Sequence, residues 1–210
     1  MPTRCSSASL SLVVSRDRRE TSDDDLARGL IAGEGWAIAE TWHRFAPMVL
    51  MMAERCLGSK SEANDIGQEV FYRLYRKANT LRAPDRLRSF IYSFAVRALM
   101  TELRRRKLRS WISLGESDLN EYACNRTLDV ESRDLLRRFH VLLDRLAPRD
   151  RLVFILRRME SMTVEEIAIH LDVSVSTVKR SMARASTRLS RWIDADPGLS
   201  NLLDKEHWGQ

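Results

Sequence analysis

At 210 residues and 24.3 kDa the chain has room for one or two domains, and its 44% hydrophobic and 30% charged composition excludes a disordered polymer. The net charge of +6 favours an anionic partner, and because only Lys60, Lys77, Lys107, Lys179 and Lys205 are lysines, most of the positive charge is arginine, whose planar fork suits phosphate and guanine edges, although codon usage in a GC-rich genome explains that skew at least as well. Cys5, Cys56 and Cys124, odd in number and never in a CxxC, exclude a disulfide framework and a zinc site, and the longest apolar run, Phe45 to Ala53, falls far short of the ~20 residues a membrane span needs.

Residues 1–22 read as a disordered tail: Arg4, a weak apolar patch from Leu10 to Val14, then Arg16, Arg18 and Arg19 make a poor signal peptide. From Asp23 to Arg109 apolar residues recur at helical spacing with no strand-like alternation. Helices are expected near 23–33, 36–57, 61–78 and 86–109, with Gly58 stopping the second and Pro47 starting or kinking it. Between 110 and 130 Ser, Gly, Asn and the acids Glu116, Asp118, Glu121 and Asp129 dominate, the composition of a linker. A second helical block over 131–193 comes next: about 132–146, then 148–160 with Pro148 at a first helical position, then two short helices. The segment 194–210 reads as a C-terminal tail that opens on the turn Asp196-Pro197-Gly198.

Within the first block, Asp65, Gln68, Glu69 and Tyr72 fall within about 100° of one another on the helix wheel, while Ala63, Ile66, Val70, Phe71 and Leu74 take the other side. Further on, Phe90, Ile91, Tyr92 and Phe94 lie beside Arg88 and Arg97 and run into Arg104, Arg105, Arg106 and Lys107. Phe90, Ile91 and Phe94 are the core side of that helix; Tyr92, Arg88 and Arg97 are the better candidates for contact. An aromatic next to positive charge offers a stacking surface for an unpaired base and a grip on the single strand's phosphates.

In the second block Thr163-Val164-Glu165-Glu166 is a capping box, and Val164, Ile167, Ala168 and Leu171 give its helix an apolar face. Asp172-Val173-Ser174 forms the turn, with Asp172 where glycine is usual and Ser174 able to cap the next helix. Val175, Val178, Met182, Ala185, Leu189 and Trp192 then make one apolar stripe, which sends Arg180, Arg184, Arg188 and Arg191 outward with Lys179 on the flank. No acid occurs from Val173 to Ile193. A merely solvated face would carry mixed signs. This pattern fits a recognition helix whose N-terminal part enters the major groove.

The stretch from Leu146-Ala147-Pro148-Arg149-Asp150-Arg151 to Ser174-Val175-Ser176-Thr177-Val178-Lys179-Arg180 resembles sigma region 4, Asp65-Ile66-Gly67-Gln68-Glu69-Val70-Phe71 is similar to the sigma region 2.2 signature, and Phe90 to Arg97 with Arg104 to Lys107 resembles regions 2.3 and 2.4. The resemblance is to the extracytoplasmic-function sigma factors of the sigma-70 family and spans about 23–193, with no region 1.1 or region 3 domain between the blocks. It implies an all-α protein of two small helical domains, a region 2 bundle at 23–109 and a region 4 helix-turn-helix at 131–193, joined by a flexible linker at 110–130. It implies contacts to core RNA polymerase (β′ clamp and β flap) through Asp65, Gln68, Glu69 and Tyr72. It implies −10 DNA contacts at Arg88, Tyr92, Arg97, Arg104 and Arg105, and −35 contacts at Ser176, Thr177, Lys179, Arg180, Arg184 and Arg188. The acidic linker would pass near the RNA exit path. The family's usual asparagine is Arg97 here, so its −10 base preference is not carried over.

The expected partners are core polymerase, promoter DNA and an anti-sigma factor, in the cytoplasm and without membrane insertion. The alternative reading is a helix-turn-helix repressor or activator whose N-terminal half is a regulatory domain. An enzyme fits poorly: His43, His140, His170 and His207 have no metal spacing, and neither a nucleophile motif nor a phosphate loop stands out, so no catalytic residue, metal or cofactor is expected. With no apolar seam expected between the halves, they should move apart when free, and proteases should cut near Ser113–Asn125.

Overall fold

The computed structural model describes residues 21–112 and 130–200, all helix, 3-10 turn or connection, with no strand among them. The expected N-terminal tail through residue 20, the linker over 113–129 and the C-terminal tail from 201 lie outside the described residues.

Local signals start and stop the first helices. Helix α1 (Asp23–Ala32) begins where the Ser22 hydroxyl accepts from the Asp25 amide at 3.1 Å, with three aspartates in the positive first turn. It ends at Gly33, whose φ of 73° is cheap only for glycine. Gly29 lets α1 approach α2 (Gly35–Leu57): a Cβ there would stand 2.7 Å from that of Ala37. Helix α2 runs unbroken through Pro47 and stops at Gly58, in the left-handed conformation. Helix α3 (Lys60–Arg76) is capped by Ser59 and followed by two 3-10 turns, Ala78–Thr80 and Pro84–Arg86. Helix α4 (Leu87–Ile112) reaches a few residues into the expected linker.

The second block holds α5 (Val130–Arg145), α6 (Pro148–Arg158), α7 (Val164–Leu171), α8 (Val175–Asp194) and α9 (Pro197–Ser200). Pro148 sits in the first turn of α6, where a missing amide costs nothing. The Thr163 capping box is formed on both sides, and Asp172 takes the left-handed cap at φ 54°. Helix α8 is not short: it spans 20 residues and covers the expected start of the tail at 194, and α9 lies within that tail as well.

The expectation that no apolar seam joins the halves is overturned. Helices α4 and α2 pack against α6, α4 also packs against α7, and the buried side chains form one continuous cluster through both blocks. Polar bonds pin the seam. Arg55 donates to the Met159 carbonyl at 3.0 Å and to Glu160 Oε1 at 2.8 Å, and buried Arg151 donates through Nε to the Cys56 carbonyl at 2.8 Å. Each half's pattern shows its apolar positions but not which of them face the other half.

Candidate nucleic-acid interface

Helix α3 buries Ala63, Ile66, Gly67, Val70, Phe71 and Leu74 and leaves Asp65, Gln68 and Tyr72 exposed, with Glu69 half-exposed beside them. Glu69 pairs with Arg73, and the Arg76 guanidinium stands 5.7 Å from the centre of the Tyr72 ring and donates to its hydroxyl at 3.3 Å. Tyr72 is 58% exposed, a large ring left mostly to solvent. These side chains share one exposed face of α3.

Helix α4 divides only in part as its composition suggested, because Tyr92, like Phe90, is half-buried against the core. Ile91 and Phe94 are buried, and Phe90 packs edge-on against Phe94 at 5.0 Å. Arg88 and Arg97 are exposed, and Arg88 stands 5.9 Å over the Tyr92 ring. Farther along, Arg104 is exposed, while Arg105 and Arg109 both reach Glu102, at 3.4 and 2.7 Å. Arg106 turns inward, donating to the Leu57 carbonyl at 2.8 Å and pairing with Glu62. One arginine of the basic run thus serves the fold, Arg105 and Arg109 share Glu102, and Arg104 is exposed.

In the helix-turn-helix, Ser174 accepts from the Thr177 amide at 3.3 Å, and its hydroxyl lies 2.9 Å from those of Ser176 and Thr177. These hydroxyls sit at the start of α8, where unpaired amides and the helix dipole favour an anion. Lys179, Arg180 and Arg188 are exposed. The buried face comprises Val178, Ser181, Ala185, Leu189 and Ile193, with Val175, Met182 and Trp192 only partly covered. It therefore differs from the stripe expected by taking in Ser181 and Ile193.

Arg184 also differs from the expectation in its surroundings. It does not stand alone on an outward face; its guanidinium lies on Asp150 of α6, with Nη2 2.7 Å from Oδ1. Sequence reasoning passed over Asp150, since no local pattern links two residues 34 positions apart. It also passed over His170, the buried residue of α7 whose Nδ1 lies 2.9 Å from the Ser93 hydroxyl and whose ring centre is 5.9 Å from that of Tyr92. Burial pushes the His170 pKa below its usual value, and neighbouring Arg97 adds to this while Glu166 opposes it. A neutral imidazole there can accept the Ser93 hydroxyl or donate to it. Through His170 the helix-turn-helix lies against the aromatic and basic face of α4.

Among the described residues no cluster of His, Cys, Asp or Glu could hold a metal ion, and no helix is long and apolar enough to cross a membrane.

Two family models match the chain in order: "Sigma-70 region 2" over residues 41–109 and "Sigma-70, region 4" over residues 136–189. The chain is 28% identical over 174 residues to the ECF RNA polymerase sigma factor SigM of Mycobacterium tuberculosis, covering 83% of this chain and 86% of SigM. It is 31% identical over 134 residues to the ferric citrate uptake sigma factor FecI of Escherichia coli, covering 62% of this chain and 76% of FecI. Its fold is similar to that of CnrH, solved in complex with the cytosolic domain of CnrY, with a TM-score of 0.60 at 24% identity over 83% of this chain and 98% of CnrH. It is also similar to RpoE of Bartonella quintana, solved with the anti-sigma factor NepR, with a TM-score of 0.56 at 16% identity over 75% and 97% of the two chains.

Proposed function

Because the chain belongs to the extracytoplasmic-function sigma factors of the sigma-70 family, which direct promoter-specific transcription, we propose a division of that work among its helices. The exposed face of α3, with Asp65, Gln68, Glu69 and Tyr72, docks on the β′ clamp of core RNA polymerase. Arg88, Tyr92, Arg97, Arg104 and Arg105 on α4 engage the −10 element. Ser176, Thr177, Lys179, Arg180, Arg184 and Arg188 at and along α8 engage the −35 element, while the region 4 half also meets the β flap. The chain performs no chemistry of its own and acts in the cytoplasm, and an anti-sigma factor restrains it, as the complex of RpoE with NepR suggests by analogy.

The observation that carries this reading is the coexistence, in family order on one chain, of a polar face whose acids balance its arginines and two faces where arginine dominates. The polar face suits a protein partner; the other two suit a polyanion. Tyr92 sits half-buried between Arg88 and His170, so for a base to stack on it the helix-turn-helix half must first move off α4.

Reconstitution tests it. Core RNA polymerase supplied with the full-length chain and a library of genomic fragments should start transcription at discrete sites that share upstream sequence. DNA binding without polymerase-dependent starts would instead make the chain a repressor or activator of the ordinary helix-turn-helix kind.

A further inference from the structure

Helix α8 carries no acid of its own from Val175 to Ile193, yet an acid reaches one of its arginines from α6. Asp150 is 2% exposed and holds Arg184 by two parallel bonds, Nε to Oδ2 at 3.0 Å and Nη2 to Oδ1 at 2.7 Å. Nη2 also donates to the hydroxyl of fully buried Ser181 at 3.1 Å. Three bonds on one edge of a planar fork fix its orientation as well as its place. The held edge faces the buried carboxylate. At the opposite corner Nη1 makes no hydrogen bond among the described residues, and the side chain stays half-exposed.

Stability alone is a weak reason for this arrangement. A buried carboxylate pays for its lost hydration, and apolar replacements of buried ion pairs are often no less stable. Recognition gives a stronger reason. A free arginine must surrender rotamer freedom when it meets a base, whereas a held one has surrendered it on folding. A directed donor also distinguishes base edges, which a swinging charge does not.

We propose that Asp150 is a positioning residue for DNA recognition: it clamps the inner edge of Arg184 so that Nη1 is aimed into the groove α8 enters, and thereby sets the base preference at one position without touching DNA. The inference rests on the reading of α8 as the recognition helix. It contrasts in sign with simple electrostatics. A carboxylate near a polyanion weakens binding, so its neutralisation should strengthen binding to every sequence alike. As a clamp, Asp150 instead supports one sequence position, and its neutralisation should erase that preference.

The test uses holoenzyme made from core RNA polymerase and the full-length chain, on a promoter recovered by transcript mapping whose −35 region is then randomised. Sequenced transcripts report the preference at each position. Asp150→Asn and Arg184→Ala should each flatten the same single position, on the order of tenfold. The double variant should do no more, because the two residues act as one unit. Arg184→Lys leaves the half-exposed stem and charge in place but lacks the fork, so it too should lose that position while folding normally. Binding of a random-sequence duplex should not weaken with Asp150→Asn, and melting curves will confirm that every variant is folded at the assay temperature. If Asp150→Asn keeps the preference, or lowers all positions alike, the clamp is refuted. Arg180→Ala separates the clamp from the recognition helix. If it flattens a position of its own while Asp150→Asn flattens none, only the clamp fails; if Arg180→Ala and Arg184→Ala both leave every position unchanged, the recognition-helix reading fails and takes the clamp with it.

Discussion

His140 on α5 is largely covered, and burial, with help from Arg151 and Arg106 and against the pull of Asp144, pushes its pKa down to about 4. An unfolded histidine titrates near 6.5. As pH falls through that value the unfolded chain takes up a proton that the folded chain refuses, so the unfolded state gains. His140 therefore leaves stability untouched above about 6.5 and drains it between there and about 4. Denaturant melts across that window should fall more steeply for the natural chain than for His140→Gln, which has nothing to titrate; parallel curves would show that the site is not dry. The sequence marked His140 only as a histidine without metal spacing, because the arginines that surround it come from α4 and α6. Cys56 is a similar case: burial raises its thiol to about 11, an inertness visible only once the seam is built.

At the scale of the helix, amphipathic pattern was a good guide wherever one face meets the core and the other meets water. Helix α3 buries its apolar side as the wheel predicts, which leaves Gln68 exposed and Glu69 tied only to Arg73 on the same surface. A surface pair of that kind contributes little. Gln68→Ala with Glu69→Ala should shift stability by about ±0.5 kcal/mol per site while weakening binding to core RNA polymerase in a pull-down or titration. An unfolded double variant, or one that binds core polymerase normally, would remove this face from the polymerase contact. The pattern was a poorer guide on α8, where it placed Arg184 with Arg180 and Arg188. A wheel assigns a direction from the axis but not what a neighbouring helix sends to meet it, and Asp150 arrives from α6.

For the molecule as a whole, the packed seam alters what proteolysis should show. A cut within 113–125 should still yield two helical fragments, but they should travel together on gel filtration, held by Arg55 with Glu160 and by Arg151 on the Cys56 carbonyl. Arg55→Ala should loosen them and, with Cys5 and Cys124 changed to serine, speed the labelling of Cys56 by a thiol reagent. Fragments that separate at once would mean that the seam does not hold the free chain. The chain's own pattern determined the helices, their caps at Thr163, Ser174 and Gly58, the order of the two blocks and the resemblance to a sigma factor, because each depends on residues a few positions apart and on the 3.6-residue period. Only the tertiary structure decided that Arg184 answers to Asp150, that Arg106 faces inward, and that His170 sets the helix-turn-helix against Tyr92 and Ser93. Those contacts join residues 34 or more positions apart, and at such separations a side chain's partner is chosen by how helices pack, which no local periodicity encodes.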